Sequence, residues 1–318
     1  MDVLNKLKNC GIVPVVVIDD VKDAVPTANA LLQGGVDVME ITLRTAAGLD
    51  AIREVAKNCP ETCVGAGTVL NLVQCKAAVE AGAKFVVAPG FDRKLVTWCV
   101  ENDVAVTPGC VTPSEIMEAL SLGLRVVKFF PANVYGGLDA MKALAAPFGT
   151  VRFIPTGGVN DKNLKEYMSV PYIHAVGGSW LCAKGDINAG NFGKISMLCK
   201  EARNIALGFE LAHVGIHCED AAASMQVAEQ FANAFGFGIK EGTSSNFVSS
   251  GIEIVKEKYL GANGHIAIRT ANIQRAIAYL EETGYAVDME TAKYKNGNMI
   301  AVYLTQSFGG FAVHLLQK

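Results

Sequence analysis

The chain has 318 residues, of which 51% are apolar and 19% charged, with a formal net charge of −3. This length suits two domains, or one large barrel with additions, and the composition suits a sizeable globular core. No basic run exceeds a couple of residues, so neither nucleic acid nor anionic membrane is an expected partner. The amino-terminal apolar run of seven residues is interrupted by Pro14 and followed by Asp19 and Asp20, which argues against a signal peptide and a membrane span. Nine scattered cysteines without a CxxC pair read as reduced packing thiols of a cytoplasmic protein.

Over the first two hundred residues, β-type apolar runs recur in order. They are IVPVVVI from 12, VDVMEITLR from 36, CVGAGTVL from 63, FVVAPG from 85, VAVTPG from 104, VVKFFPA from 126, VRFIPTGG from 151 and HAVGGSWL from 174. Helix-type segments lie between them: Val21–Gln33 with Pro26 in its first turn, Ala46–Lys57, Leu72–Ala81 and Pro113–Leu122. Eight alternations of strand and helix predict a (β/α)8 TIM barrel. A doubly wound open sheet is the structural alternative. It commonly has fewer strands and a glycine-rich first turn, whereas the first strand here runs into Asp19-Asp20.

A barrel places its chemistry at the carboxyl ends of its strands. The polar residues of this chain fall there: Glu40, Thr42 and Arg44, then Thr68, Thr107, Lys128, Thr156 and Ser179. Glu40, Thr42 and Arg44 have the same parity, so a continuous strand would turn all three to one side. Lys128 stands in Val126-Val127-Lys128-Phe129-Phe130-Pro131, where Val126 and Phe130 share its face. An amine held among such neighbours loses hydration, which favours its neutral, nucleophilic form. A strand-end lysine that snorkels to water or pairs with a carboxylate is the structural alternative. Likewise, Glu40 and Arg44 could form a plain ion pair. Two glycine-rich ends, Thr156-Gly157-Gly158 and Gly177-Gly178-Ser179, fall where barrels commonly hold phosphate, although a lone GG is also an ordinary turn.

The motifs GGVDVMEITLRT, VGAGTVLN, APG, TPG, VKFFPA, FIPTGGV and GGSW span residues 1–208. On these, that segment resembles the 2-keto-3-deoxy-6-phosphogluconate (KDPG) aldolases, including the 4-hydroxy-2-oxoglutarate variants. The resemblance implies a trimeric class I aldolase that needs no cofactor and takes a small 2-keto acid substrate. Its products would be pyruvate with glyceraldehyde 3-phosphate, or pyruvate with glyoxylate from the shorter substrate. It also implies Lys128 as the Schiff-base lysine and Glu40 as the acid–base group. Arg44 and Thr68 would grip the pyruvyl end, with Pro89 and Phe130 packing beside them. Thr156, Gly157, Gly158 and Ser179 would bind the phosphate side.

From about residue 209 the pattern changes. A strand opening at His213, a helix over Glu219–Gly236 and short strands to about Lys258 are followed by a second set. That set has a strand opening at His265, a helix over Ile273–Gly284 and strands to Leu316. The repeat has a period near 52 residues and holds four of the five histidines of the chain. Each half closes with a ligand-type side chain in an apolar strand: Glu253 in GIEIV and His314 in AVHLL. Residues 209–318 therefore resemble the vicinal-oxygen-chelate (glyoxalase-like) superfamily, a smaller α+β domain of paired βαβββ modules. The resemblance implies a divalent metal held by His213, Glu253, His265 and His314, with His314 standing where glutamate is commoner. His217 shares parity with His213 but lies half a strand away, and is left out of the set. The alternatives for this segment are a metal-dependent enzyme, a ligand-sensing module and a structural, oligomer-capping domain.

Overall fold

The computed structural model describes residues 2–318, and the chain separates into two compact units between Ala206 and Leu207. The first begins with helix α1 (Val3–Cys10) and strand β1 (Ile12–Val16). There follow α2 (Ala24–Gln33), β2 (Val38–Thr42), α3 (Gly48–Asn58), β3 (Cys63–Gly67), α4 (Leu72–Glu80), β4 (Phe85–Val87), α5 (Arg93–Glu101) and β5 (Ala105–Thr107). The unit continues through α6 (Pro113–Ser121), β6 (Val126–Phe129), α7 (Gly137–Ala145), β7 (Arg152–Pro155), α8 (Leu164–Met168), β8 (Val176–Gly178), α9 (Lys184–Asn188) and α10 (Phe192–Leu207).

Every residue of β1, β2 and β3 is buried, which is why these strands read as continuous apolar runs rather than alternating ones. The helices between them start on local signals. Asn71 and Asp92 accept from the backbone N–H groups of Gln74 and Leu95. Thr112 and Glu115 form a reciprocal capping box with Pro113 in the first turn. Pro26 likewise sits in the first turn of α2, where its missing N–H costs nothing.

The parallel strands form a curled six-stranded sheet, in the order β5-β4-β3-β2-β1-β8, and a two-stranded sheet, β6-β7. Single bridges, Gly109 to Lys128 and Thr156 to Gly177, stand where a continuous ladder would join the two. The fold is thus α/β with eight parallel strands, but the ladder is interrupted on both sides of β6-β7. Two expectations about strand length need correction. Strand β2 stops at Thr42, so Arg44 lies in the following turn and is exposed; the shared parity does not reach it. Strand β6 stops at Phe129, which puts Phe130 outside the strand as well.

The second unit holds β9 (Glu210–His217), α11 (Ala221–Phe235), β10 (Ile239–Glu241), β11 (Ser245–Val248) and β12 (Ile252–Val255). A second set repeats that order: β13 (His265–Thr270), α12 (Ile273–Glu282), β14 (Val287–Lys295), β15 (Asn298–Phe308) and β16 (Phe311–Gln317). Together they make one eight-stranded sheet, ordered β10-β11-β12-β9-β13-β16-β15-β14. In each set the opening strand runs parallel to the closing one, and the two opening strands pair antiparallel. The four central strands are therefore β12, β9, β13 and β16. Leu207, with which this unit begins, is buried in its core together with Ile273, Ala276, Val302 and Leu315.

Candidate functional site

In the first unit, Lys128 on β6 and Glu40 on β2 meet across the strands. The Nζ of Lys128 lies 3.2 Å from Oε1 of Glu40, and the two residues are 5% and 2% exposed. The backbone of Lys128 is fixed by two bonds to one neighbouring segment: its N–H donates to the Pro108 carbonyl and its own carbonyl accepts from Cys110. Glu40 is flanked by Gly65 and Gly67 of β3. Gly65 pairs with it in register, and a Cβ at Gly67 would overlap its carboxylate. The absence of a side chain at Gly67 is what gives the carboxylate its place.

The neighbours of this pair come from loops after the strands. The Phe130 ring lies 5.5 Å from the Lys128 ammonium position and is 39% exposed, giving the pair an apolar, partly open wall. Pro89 rests against the backbone of Gly109, where a Cβ would strike the Pro89 carbonyl, and Gly109 bridges to Lys128. Thr68, the first residue after β3, has φ of 57°, a left-handed conformation that non-glycine residues seldom adopt outside special sites. Thr156 follows β7 with its hydroxyl buried and without a partner, and Thr42 Oγ1 is in the same state. Gly157 and Gly158 both take positive φ, at 91° and 85°, and Asn163 donates to the Gly158 carbonyl. Arg44 and Ser179 are exposed. Neither they nor Thr68 or Pro89 makes a side-chain bond to the Lys128–Glu40 pair among the described residues.

In the second unit, Glu253 (β12), His213 (β9), His265 (β13) and His314 (β16) fall on the four central strands. Glu253 Oε2 is 2.8 Å from His213 Nε2 and 3.1 Å from His265 Nε2, and those two nitrogens are 3.1 Å apart. His213, His265 and His314 are buried, and each offers a nitrogen within 4.8 Å of the others. Both His314 nitrogens are buried without a hydrogen-bond partner, while Tyr303 stacks on its ring at 4.6 Å. Burial first, and then the charges of His265 and His213, push the His314 pKa down to about 3. Burial alone would raise Glu253. Hydrogen bonds with His213, His265 and Ser245 outweigh it and hold the carboxyl well below the usual range. Two buried imidazoles, one carboxylate oxygen and an unpartnered third imidazole make a donor set suited to a divalent ion.

Sequence reasoning missed three positions. His217 Nε2 lies 3.1 Å from His265 Nδ1, so the half-strand distance from His213 does not separate it from the cluster. Gly215 and Gly67 are small because a ring and a carboxylate, respectively, occupy the space of their side chains. The alternation His213-Gly215-His217 on one strand face was the available signal. It acquires meaning only from the register that puts His265 opposite Gly215.

A buried amine beside a buried carboxylate, at the ends of parallel strands, is the equipment of an amine nucleophile with its own proton carrier. The family model for KDPG and KHG aldolase matches residues 3–198, and the chain belongs to that family. It is 42% identical to a 2-dehydro-3-deoxy-phosphogluconate aldolase of Treponema pallidum, over 64% of this chain and 97% of the relative. A KHG/KDPG aldolase of Escherichia coli K12 is 44% identical, over 60% of this chain and 90% of its own length. Among solved structures, the KDPG aldolase of Legionella pneumophila, with pyruvate captured as a covalent carbinolamine, superposes with a TM-score of 0.61. It is 38% identical and covers 63% of this chain and 97% of its own. The matched family residues lie within the first unit.

Replacing Gly67 by Ala should displace the Glu40 carboxylate from Lys128 and lower kcat/KM for aldol cleavage by about 10²-fold, the scale of a 1 Å misplacement. Steady-state kinetics beside a far-UV circular dichroism spectrum would check it, with the spectrum unchanged. For His314 the folded pKa lies below its unfolded value near 6.5. Between pH 6.5 and about 3 the unfolded chain therefore binds a proton that the folded unit refuses, and stability falls as pH falls. Urea titrations of the second unit's transition from pH 7.5 to 4.5, with chelator present, should show that loss in wild type and less of it in His314→Phe.

Proposed function

We propose that the first unit is a class I aldolase that cleaves 2-keto-3-deoxy-6-phosphogluconate to pyruvate and glyceraldehyde 3-phosphate, and 4-hydroxy-2-oxoglutarate to pyruvate and glyoxylate. The observation that carries this is the buried Lys128–Glu40 contact, in a chain 42% and 44% identical to proteins named for those substrates. The free amine of Lys128 adds to the C2 carbonyl of the 2-keto acid, and loss of one water leaves a protonated imine. The C4 hydroxyl gives up its proton, the C3–C4 bond breaks, and its electron pair is drawn to the imine nitrogen. The aldehyde departs. The enamine left on Lys128 takes a proton at C3, and water hydrolyses the imine to release pyruvate. Glu40, 3.2 Å from the amine, carries these protons directly or through one water.

The remaining residues hold the substrate around that centre. Arg44, exposed in the turn after β2, has no ion pair among the described residues and is free to fold its guanidinium onto the substrate carboxylate. Thr68, Pro89 and Phe130 border the pyruvyl end. Thr156 has an unpartnered buried hydroxyl, Gly157 and Gly158 have left-handed backbones, and Ser179 is exposed; these four form the phosphate end. The six- and two-stranded sheets act as one (β/α)8 barrel, supported by the single bridges on either side of β6-β7. By resemblance to the family the working form is a homotrimer in the cytoplasm. Nine unpaired cysteines fit a reducing compartment, and no helix among the described residues is long and apolar enough to cross a membrane.

A second reading concerns residues 207–318. The mutual approach of His213, Glu253 and His265, together with the unpartnered nitrogens of His314, supports one divalent metal held by these four side chains. Without a metal, protons on the Nε2 nitrogens make these contacts hydrogen bonds; a divalent ion placed among the atoms, 2.8–3.1 Å apart, would take the place of those protons. Such an ion would supply Lewis-acid character; the protein supplies a buried, aromatic-walled setting from Phe247 and Tyr303.

Borohydride reduction in the presence of pyruvate should add the pyruvyl mass to the peptide carrying Lys128, as read by mass spectrometry. Labelling of a different lysine, or none, would falsify the class I assignment. Lys128→Arg should lack activity although it keeps the charge, since arginine does not deprotonate in this pH range. Elemental analysis of untagged protein, after incubation with Zn, Ni, Mn and Fe(II), should find about one ion per chain. His265→Ala should lose most of it while keeping aldolase turnover. A wild type that stays metal-free overturns the second reading.

A further inference from the structure

Strand β9 presents His213, Gly215 and His217 on one face, at the spacing of two residues that strands impose. Strand β13 pairs with it so that His265 is opposite Gly215. A side chain at Gly215 would overlap the His265 ring on both nitrogens, so the ring occupies the space above that glycine. It lies between two imidazoles at nearly equal distances, 5.2 Å to the His213 centroid and 5.3 Å to that of His217. The two ring nitrogens of His265 have separate partners. Its Nε2 faces Glu253 Oε2 and His213 Nε2, and its Nδ1 faces His217 Nε2 at 3.1 Å.

Resting on the metal reading above, we infer that His217 is a positioning residue. It accepts the His265 Nδ1 proton, fixing the tautomer and ring orientation in which the His265 Nε2 lone pair is offered to the ion. A neutral imidazole carries one N–H, and the hydrogen bond made by one nitrogen decides which nitrogen remains free to ligate. With Nδ1–H donated outward, Nε2 is left as a lone pair, which is the form a metal requires. His217 must itself carry its proton on Nδ1 to accept at Nε2, and its half-buried position leaves that side open to water. His217 meets His265 at Nδ1, away from the Nε2 that faces Glu253 and His213, which makes it an outer partner of His265 rather than a ligand. Glu253 is treated in the same way. The Ser245 hydroxyl donates to Oε1 at 2.6 Å and leaves Oε2 turned toward the histidines. Both a carboxylate and an imidazole of the set are thus held by their outer atoms, the arrangement that orients metal ligands in general.

The test measures Zn²⁺ affinity of the full-length protein by competition with a chromophoric chelator, for wild type, His217→Ala and His217→Gln. His217→Ala should weaken binding by 10- to 100-fold with stoichiometry still at one, the usual scale for loss of an outer partner. His217→Gln, whose amide oxygen accepts a hydrogen bond, should recover part of that loss. The urea transition of the second unit should be unchanged in both, which shows that this unit is folded, and aldolase turnover, a property of the first unit, should be unchanged as well. Equal affinity in wild type and His217→Ala overturns the inference. So does weakening by Gln as great as by Ala, or a drop in stoichiometry, which would make His217 a ligand. A wild type that binds no Zn²⁺ removes the metal reading itself, an outcome distinct from all of these.

Discussion

Lys128 and Glu40 face each other 3.2 Å apart with almost no exposure, and much of the first unit is arranged so that they can. Removing an amine and a carboxylate from water costs several kcal/mol for each ion, and apolar residues of the same size would often stabilise the fold as well or better. A buried pair of this kind therefore calls for a reason other than stability. The proposed function supplies a chemical one: an amine nucleophile is served by shielding and by a proton carrier within reach. The two side chains meet although β2 lies in the six-stranded sheet and β6 in the two-stranded one. Gly67 clears the space beside the carboxylate, and the backbone of Lys128 is bonded through both its N–H and its carbonyl to the 108–110 segment.

The second unit meets a similar cost by different means. Its polar centre is assembled by duplication, since two β-α-β-β-β sets place their opening and closing strands side by side at the middle of one sheet. Each central strand contributes one side chain. Glu253 is the only carboxylate among them, and His213, His265 and Ser245 surround it. His314 keeps both nitrogens buried and without a hydrogen-bond partner, a cost of the order of 1–3 kcal/mol per buried polar group.

The functions proposed for the two centres would use different electron sinks. On the proposed mechanism, the iminium nitrogen formed on Lys128 in the first unit would accept the electrons of the breaking carbon–carbon bond, so the reaction would depend on the protonation states of two side chains. In the second, an ion among imidazoles would carry the charge, and the protein's part is to fix tautomers and orientations. The surroundings differ in the same sense: a lysine and a glutamate on parallel strands with a half-exposed Phe130 near the lysine, against buried histidines beside Phe247 and Tyr303.

Much of this was legible from residue order because it depends on local pattern. Eight apolar runs alternating with helical segments marked the parallel strands, since strands buried on both faces have no polar positions. Lys128, Glu40 and the ligand-type residues His213, Glu253, His265 and His314 stood out as polar groups inside apolar runs, and burial of such groups is rarely accidental. Three matters were left to the tertiary structure. Where strands stop is decided by pairing, which ends β2 at Thr42 and leaves Arg44 in a turn. Which small residues matter is decided by what lies across from them, so Gly67 and Gly215 gained meaning only beside Glu40 and His265. His217 looked too far along its strand from His213, because distance along one chain says nothing about a ring reaching in from another. Register across β9 and β13 closed that gap, and register is a property of two strands that neither contains alone.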